Sequence, residues 1–188
     1  MDGDFGSVVW VNGPFGGGKT SLADALIARW PRARLFDPEE VGFMLRTMVP
    51  PAESGDFQDL PVWRDLVADT AYRLLARYGC PLVVPMTVVV PAYLSEIFTS
   101  LAQRQVMVRH FFLEVSVQTV RERIEGQRVW PDDLERDEQV RKWRLAQVER
   151  CVAAVDFLPQ DTVLLDGELS TVQLADQVLE TLAMDRRA

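Results

Sequence analysis

The chain reads as an α/β protein, a five-stranded parallel sheet flanked by helices. Three observations lead there. Short apolar runs at 8–11, 33–36, 81–84, 106–115 and 162–165 alternate with segments whose apolar residues recur at helical spacing. The stretch Gly13-Pro14-Phe15-Gly16-Gly17-Gly18-Lys19-Thr20 fits the pattern G-x-x-x-x-G-K-[ST]. That stretch lies between a strand and a helix, which is where a backbone cradle for phosphate has to lie.

The elements follow in order. Val8 to Val11 is apolar throughout, as suits a strand covered on both faces. Thr20 to Trp30 forms a helix with Leu22, Ala25, Leu26 and Ala28 inward, stopped by Pro31. Ala33 to Phe36 is a second strand, and Asp37-Pro38 opens a helix to Met48 on the spacing of Val41, Met44, Leu45 and Met48. Pro50-Pro51 ends it, and a polar loop runs to Pro61. Val62 to Tyr78 is a helix with Val62, Leu66, Ala71, Leu74, Leu75 and Tyr78 on its apolar side and an Asp69–Arg73 pair on its wet side. Pro81 to Val84 is the third strand. Pro91 starts a helix to Gln103 with Tyr93, Leu94, Ile97, Phe98 and Leu101 buried. Val106 to Val115 is the fourth strand, and Ser116 caps a helix through Arg123. An Arg- and acid-rich segment, part of it helical, occupies 127–150. Thr162 to Leu165 is the fifth strand, and Ser170 with Gln173 makes a capping box for the last helix, whose stripe is Val172, Ala175, Val178, Leu179 and Leu182.

With 188 residues, 48% of them hydrophobic and 26% charged, one domain with a full core is expected over 1–188. The net charge of -8 argues against a nucleic-acid partner, because phosphate backbones are held by excess Lys and Arg. Cys80 and Cys151 stand alone in apolar surroundings, as reduced thiols do in a cytosol. Residues 1–6 have no apolar signal core, and the longest apolar run, 82–94, is broken by Pro85 and Pro91 and too short to span a bilayer. A cytoplasmic protein without a transmembrane segment is expected. A lone histidine, His110, argues against a Ser-His-Asp hydrolase and a multi-histidine metal site, and sits inside a strand as a structural residue.

The glycine-rich (Walker A) stretch makes this a P-loop NTPase fold. Gly13, Pro14, Phe15, Gly16, Gly17 and Gly18 would turn backbone N–H groups toward ATP phosphates, with Ser21 in the helix turn behind them. Lys19 is one of only two lysines, the other being Lys142, against eighteen arginines. A compact ammonium fits a tight loop where a planar guanidinium would not. Thr20 offers a hydroxyl to magnesium. In such sheets ligands sit beyond the carboxyl ends of the strands, so the residues there are the candidates. Asp37, after strand two, can accept a proton, hold magnesium through water, or cap the following helix; one carboxylate can do both. After strand three no acid follows, only Pro85-Met86-Thr87. Asp166 ends the last strand, away from the phosphates, and reads as structural. Arg121, Arg123 and Arg128 cluster after strand four, suited to spreading phosphoryl charge and stacking on a purine, so 121–150 reads as a lid; the bland alternative is a solvated face paired with Glu122 and Glu125. Arg46, Phe57, Gln58, Trp63, Met86 and Thr87 form the candidate acceptor side, on a substrate-side segment of about 38–63 and the end of strand three.

The run Arg123-Ile124-Glu125-Gly126-Gln127-Arg128 resembles the start of the lid in adenylate-kinase-type enzymes, which implies Arg123 against adenine and Arg128 on phosphate. Longer blocks resemble the tunicamycin-resistance family: Trp10 to Thr20, Asp37-Pro38-Glu39, Gly42-Phe43, Leu45-Arg46, Met48-Val49-Pro50, Asp56-Phe57-Gln58, Pro61, Trp63-Arg64, Val84-Pro85-Met86-Thr87, then Trp143, Gln147 and Arg150-Cys151-Val152. The resemblance implies a nucleoside/nucleotide-kinase-like fold with a lid, ATP binding, and antibiotic resistance toward tunicamycin, a uridine-containing drug. It leaves open whether the drug is phosphorylated by a magnesium-dependent kinase (a transferase using Lys19, Asp37 and Arg128) or only bound. It makes the missing acid after strand three a family trait. Some relatives associate peripherally with membranes through a C-terminal amphipathic helix; the last helix here is no more amphipathic than a sheet-covering helix should be. A GTPase switch fares worst, since no N-K-x-D motif exists.

Overall fold

A computed structural model describes residues 7–185. The readings made on 1–6 and on the tail 186–188 lie outside the described residues. The strands β1 (Val8–Asn12), β2 (Arg34–Leu35), β3 (Leu82–Pro85), β4 (Val108–Glu114) and β5 (Val163–Asp166) form one sheet in the order β2-β3-β1-β4-β5. Every pairing is parallel. β1 lies at the centre, with Trp10 level with Val84 on one side and His110 on the other. All five β1 residues and all four β3 residues are buried, which explains their unbroken apolar runs. β2 is only two residues long and exposed at the sheet edge, shorter than the expected 33–36, although Phe36 N–H still reaches Val83 O at 3.0 Å.

Among the described residues the eight α-helices are α1 (Lys19–Arg29), α2 (Pro38–Arg46), α3 (Pro61–Tyr78), α4 (Pro91–Gln103), α5 (Val117–Gly126), α6 (Leu134–Ala146), α7 (Val148–Val152) and α8 (Thr171–Asp185), with 3-10 turns at Phe57–Asp59 and Ala153–Phe157. Period-two alternation sorts the core. Val9, Val11, Phe111 and Leu113 pack with Leu22, Val120, Ile124 and Val178 of α1, α5 and α8. Val8, Trp10 and Val84 pack with Trp63, Val67, Ile97 and Leu101 of α3 and α4. The expected caps are present: Ser116 Oγ accepts Thr119 N–H, and Ser170 and Gln173 exchange backbone contacts in a capping box. Asp69 and Arg73 do pair on α3.

α3 departs from its expected face. Val62 and Tyr78 are exposed, while Trp63, Arg64, Val67, Ala68, Ala71 and Leu75 are buried. Arg64 shares the buried face: its guanidinium lies 4.2 Å from the Tyr93 ring centroid, donates to Gln58 O at 2.6 Å and pairs with Glu96. Counting apolar residues alone phases such a helix wrongly. Val172 of α8 and Met44 and Met48 at the end of α2 are likewise exposed.

Candidate nucleotide and acceptor site

β1 delivers the chain to the loop through Asn12, which is fully buried. Its Oδ1 accepts Gly13 N–H at 2.8 Å and Val88 N–H at 3.0 Å, and its Nδ2 donates to Val88 O at 2.8 Å. The same Nδ2 stands 3.2 Å from His110 Nε2, so that nitrogen accepts and Nδ1–H donates to Thr162 Oγ1 at 2.8 Å. His110 is neutral in consequence, and burial pushes its pKa down to about 4. Asn12 thus ties the phosphate-binding loop to the segment after β3.

Within the loop Gly16 (φ 74°) and Gly18 (φ 98°) take left-handed conformations that a Cβ would strain, and Gly18 is the residue from which α1 starts. Gly17 N–H and Lys19 Nζ both donate to Pro14 O, at 3.0 and 2.9 Å. The ammonium is therefore folded back over the loop. Burial lowers the Lys19 pKa to about 8, against the pull of Cys151, Glu39 and Asp37; Arg144 adds to the lowering. The Phe15 N–H points at the Cys151 sulfur, and Cys151 and Cys80 are both free thiols. Thr20 is exposed in the first turn of α1, with Ser21 beside it. Arg123 of α5 donates to Gly167 O at 3.1 Å and approaches Gly17 O at 3.5 Å, so it bridges the loop to the β5–α8 turn.

Beside the loop opens a cleft of about 360 Å³ between α2 with the turn at 57–59 and α6. Of the sequence candidates, Phe15, Arg46, Phe57, Gln58 and Met86 line it together. Arg46 stacks on Phe43 and Phe57, at 5.6 and 5.4 Å from their centroids. Trp63 does not reach the cleft surface: it is fully buried behind Phe57 and donates its indole N–H to Pro38 O at 3.1 Å. Thr87 is buried too, its hydroxyl spent on Gly13 O at 2.8 Å and its carbonyl on Gln58 Nε2 at 3.0 Å. It braces the loop instead of facing a ligand. Arg128 is exposed between α5 and α6 and is not part of the lining. Asp37 caps α2, its Oδ1 accepting Glu39 N–H at 2.9 Å. Asp166 accepts Glu168 N–H at 3.0 Å.

Two side chains beside the loop escaped the sequence reading. Glu39 lines the cleft, and burial together with Asp37 pushes its pKa up. Arg144 lines it from the other wall, 5.7 Å from the Phe15 centroid, and burial pushes its pKa down while Glu39 and Asp137 oppose. Arg136, Gln139, Val140, Trp143 and Arg144 recur at three- and four-residue spacing, so α6 turns one continuous face to the cleft. That spacing was visible in the sequence, hidden by the charges around it. α6 is held to its own leader by the buried Asp137, whose Oδ1 accepts Val129 N–H at 2.7 Å and Trp130 N–H at 3.0 Å while Oδ2 pairs with Arg141. Among the described residues no three His, Cys, Asp or Glu side chains converge as a protein-only metal cage, and no helix is long and apolar enough to cross a membrane.

Several solved structures share this architecture. The tunicamycin resistance protein of Deinococcus radiodurans aligns over 94% of this chain and 96% of its own, at 28% identity and a TM-score of 0.67, in keeping with the resemblance drawn from the sequence blocks. A gluconokinase from Sinorhizobium meliloti (18% identity, 95% and 92% covered, TM-score 0.60) and the Mycobacterium tuberculosis APS kinase solved with AMPPNP and APS (17%, 95% and 98%, 0.58) share the fold. No curated protein matches. The AAA domain model matches residues 8–163, from the first residue of β1 to the first of β5; the chain belongs to the AAA domain family.

Proposed function

We propose that the protein is an ATP-dependent phosphotransferase that confers tunicamycin resistance by phosphorylating a hydroxyl of this nucleoside-type drug. The observation that carries the proposal is the junction of the two sites: the cleft between α2 and α6 begins at Phe15 and Glu39, beside Lys19, so a molecule held there abuts the end of a triphosphate held by the loop. Loop amides and Lys19 hold the phosphates, Arg123 lies against adenine, and Arg144, with Arg128 nearer the solvent, supplies positive charge from above. Magnesium, which neutralises phosphate charge when bound, fits Thr20 together with the phosphate oxygens, the usual shared mode for this ion. Arg46, Phe57, Gln58 and Met86 orient the acceptor. Phosphoryl transfer asks chiefly for such positioning and charge neutralisation.

A second reading is favoured by the Thr87 geometry. With that hydroxyl committed to Gly13 O and no acid after β3, magnesium has few protein ligands, as would suit nucleotide-gated sequestration without chemistry. Incubation with magnesium, ATP and tunicamycin, followed by mass spectrometry of the drug, separates the two. Phosphotransfer gains one phosphoryl group on the drug and produces ADP; unmodified drug recovered from ATP-saturated protein rules for sequestration.

A further inference from the structure

Three carboxylates stand at the start of α2, Asp37, Glu39 and the exposed Glu40, and the surroundings of the first two differ. Asp37 is occupied, because its Oδ1 holds the Glu39 amide as the cap of a nine-residue helix. The Glu39 side chain receives no hydrogen bond from any described residue, although it is largely enclosed; it lines the cleft and faces Lys19, Arg144 and Arg46 as well as Asp37. An acceptor-only group left open toward a cavity is placed to take a proton from what enters it.

We propose that Glu39, and not Asp37, is the group that accepts the proton of the acceptor hydroxyl, with Asp37 as the residue that positions it. The inference rests on the phosphotransfer reading. The acceptor oxygen forms its bond to the terminal phosphorus of ATP as the bond from that phosphorus to the bridging oxygen breaks, the electron pair leaving with ADP. The hydroxyl proton passes to a Glu39 carboxylate oxygen and then to solvent. Burial and the Asp37 charge raise the pKa of this carboxyl, against the pull of Lys19, Arg144 and Arg46. Asp37 acts twice, through the amide it pins and through its field.

The test uses the whole protein with magnesium-ATP and tunicamycin, reading phosphorylated drug in single turnovers and ATP affinity by calorimetry. Glu39→Gln should bind ATP within about 3-fold of wild type yet transfer at least ~100-fold more slowly, the usual worth of a positioned base. Glu39→Asp should recover part of that loss, which a role in folding alone would not predict. Asp37→Asn should lose about tenfold and shift the acidic limb of the rate profile to lower pH, because the repelling charge is gone. Glu39→Gln that transfers within tenfold of wild type, or an Asp37→Asn profile that loses its acidic limb altogether, overturns the assignment while leaving phosphotransfer intact. Wild-type protein that binds ATP and never modifies the drug overturns both.

Discussion

His110 shows how one side chain's protonation is fixed by its neighbours. Asn12 Nδ2 donates to one ring nitrogen and Thr162 accepts from the other, so a second ring proton would face a donor. Burial lowers the pKa from 6.5 to about 4, with only Asp161 pulling the other way. The folded pKa lies below the unfolded one, so the unfolded chain binds more protons between the two values. The contribution of His110 is therefore complete above pH 6.5 and drains away as pH falls toward 4. At pH 5 the loss is about 2 kcal/mol. Urea unfolding at pH 7 and pH 5 should show wild type losing about that much more than His110→Asn; equal losses would mean that the ring is already charged in the native state. His110 was rightly read as structural from the sequence, but the chemistry that makes it so depends on Asn12, ninety-eight positions away. No local pattern encodes such a pair.

Among the elements, α2 is the one whose packing shapes the cleft. Gly42 sits where a Cβ would meet the Phe57 ring at 2.5–2.7 Å, so glycine here lets an aromatic side chain lie flat on a helix. Gly42→Ala gains about 1 kcal/mol of helix propensity and incurs about 1–3 kcal/mol of overpacking, so the second effect wins. Denaturant titration should find the variant less stable by about 1 kcal/mol, with Phe57 displaced toward Arg46 and acceptor affinity reduced. A variant as stable as wild type would show that Phe57 moves freely. Element types and order were readable from apolar spacing because every strand here is followed by a helix, although α2 and α3, and α5, α6 and α7, follow one another with no strand between. The faces were less so. α3 was misphased because apolar residues occur all round it, Val62 and Tyr78 as well as Trp63, Val67 and Ala68, and α6 was missed as a cleft wall because Arg136 and Arg144 look like solvated charges until their rings, Trp130 and Phe15, are seen beneath them.

At the scale of the whole molecule, the parallel sheet puts the loop after β1, the cap of α2 and the segment after β3 on one edge, and the sites with them. The glycine-rich stretch was legible outright as the loop from β1 into α1, since eight contiguous residues carry it. The cleft was legible in part: Arg46, Phe57, Gln58 and Met86 line it together, whereas Trp63 and Thr87 lie buried behind them and Glu39 and Arg144 join the lining. Type and position along the chain do not tell a lining residue from a brace; only its neighbours do. A ligand that binds across three loops must stabilise the fold as a whole. Magnesium-ATP at about one hundred times its dissociation constant should add roughly 2.7 kcal/mol, a rise of about 5–10 °C in melting temperature for a domain of this size. Calorimetric scans would check it, and an unchanged midpoint at saturating nucleotide would contradict the loop's assignment.

The buried Asp137 has a consequence for motion. By gripping Val129 and Trp130 it welds the approach to α6 onto the helix itself, so Trp130, Arg136, Trp143 and Arg144 must travel as a single plate. Any swing of that plate across the cleft has to bend the chain at both its ends, at the exposed residues 126–128 before it and at Gln147, where α6 meets α7.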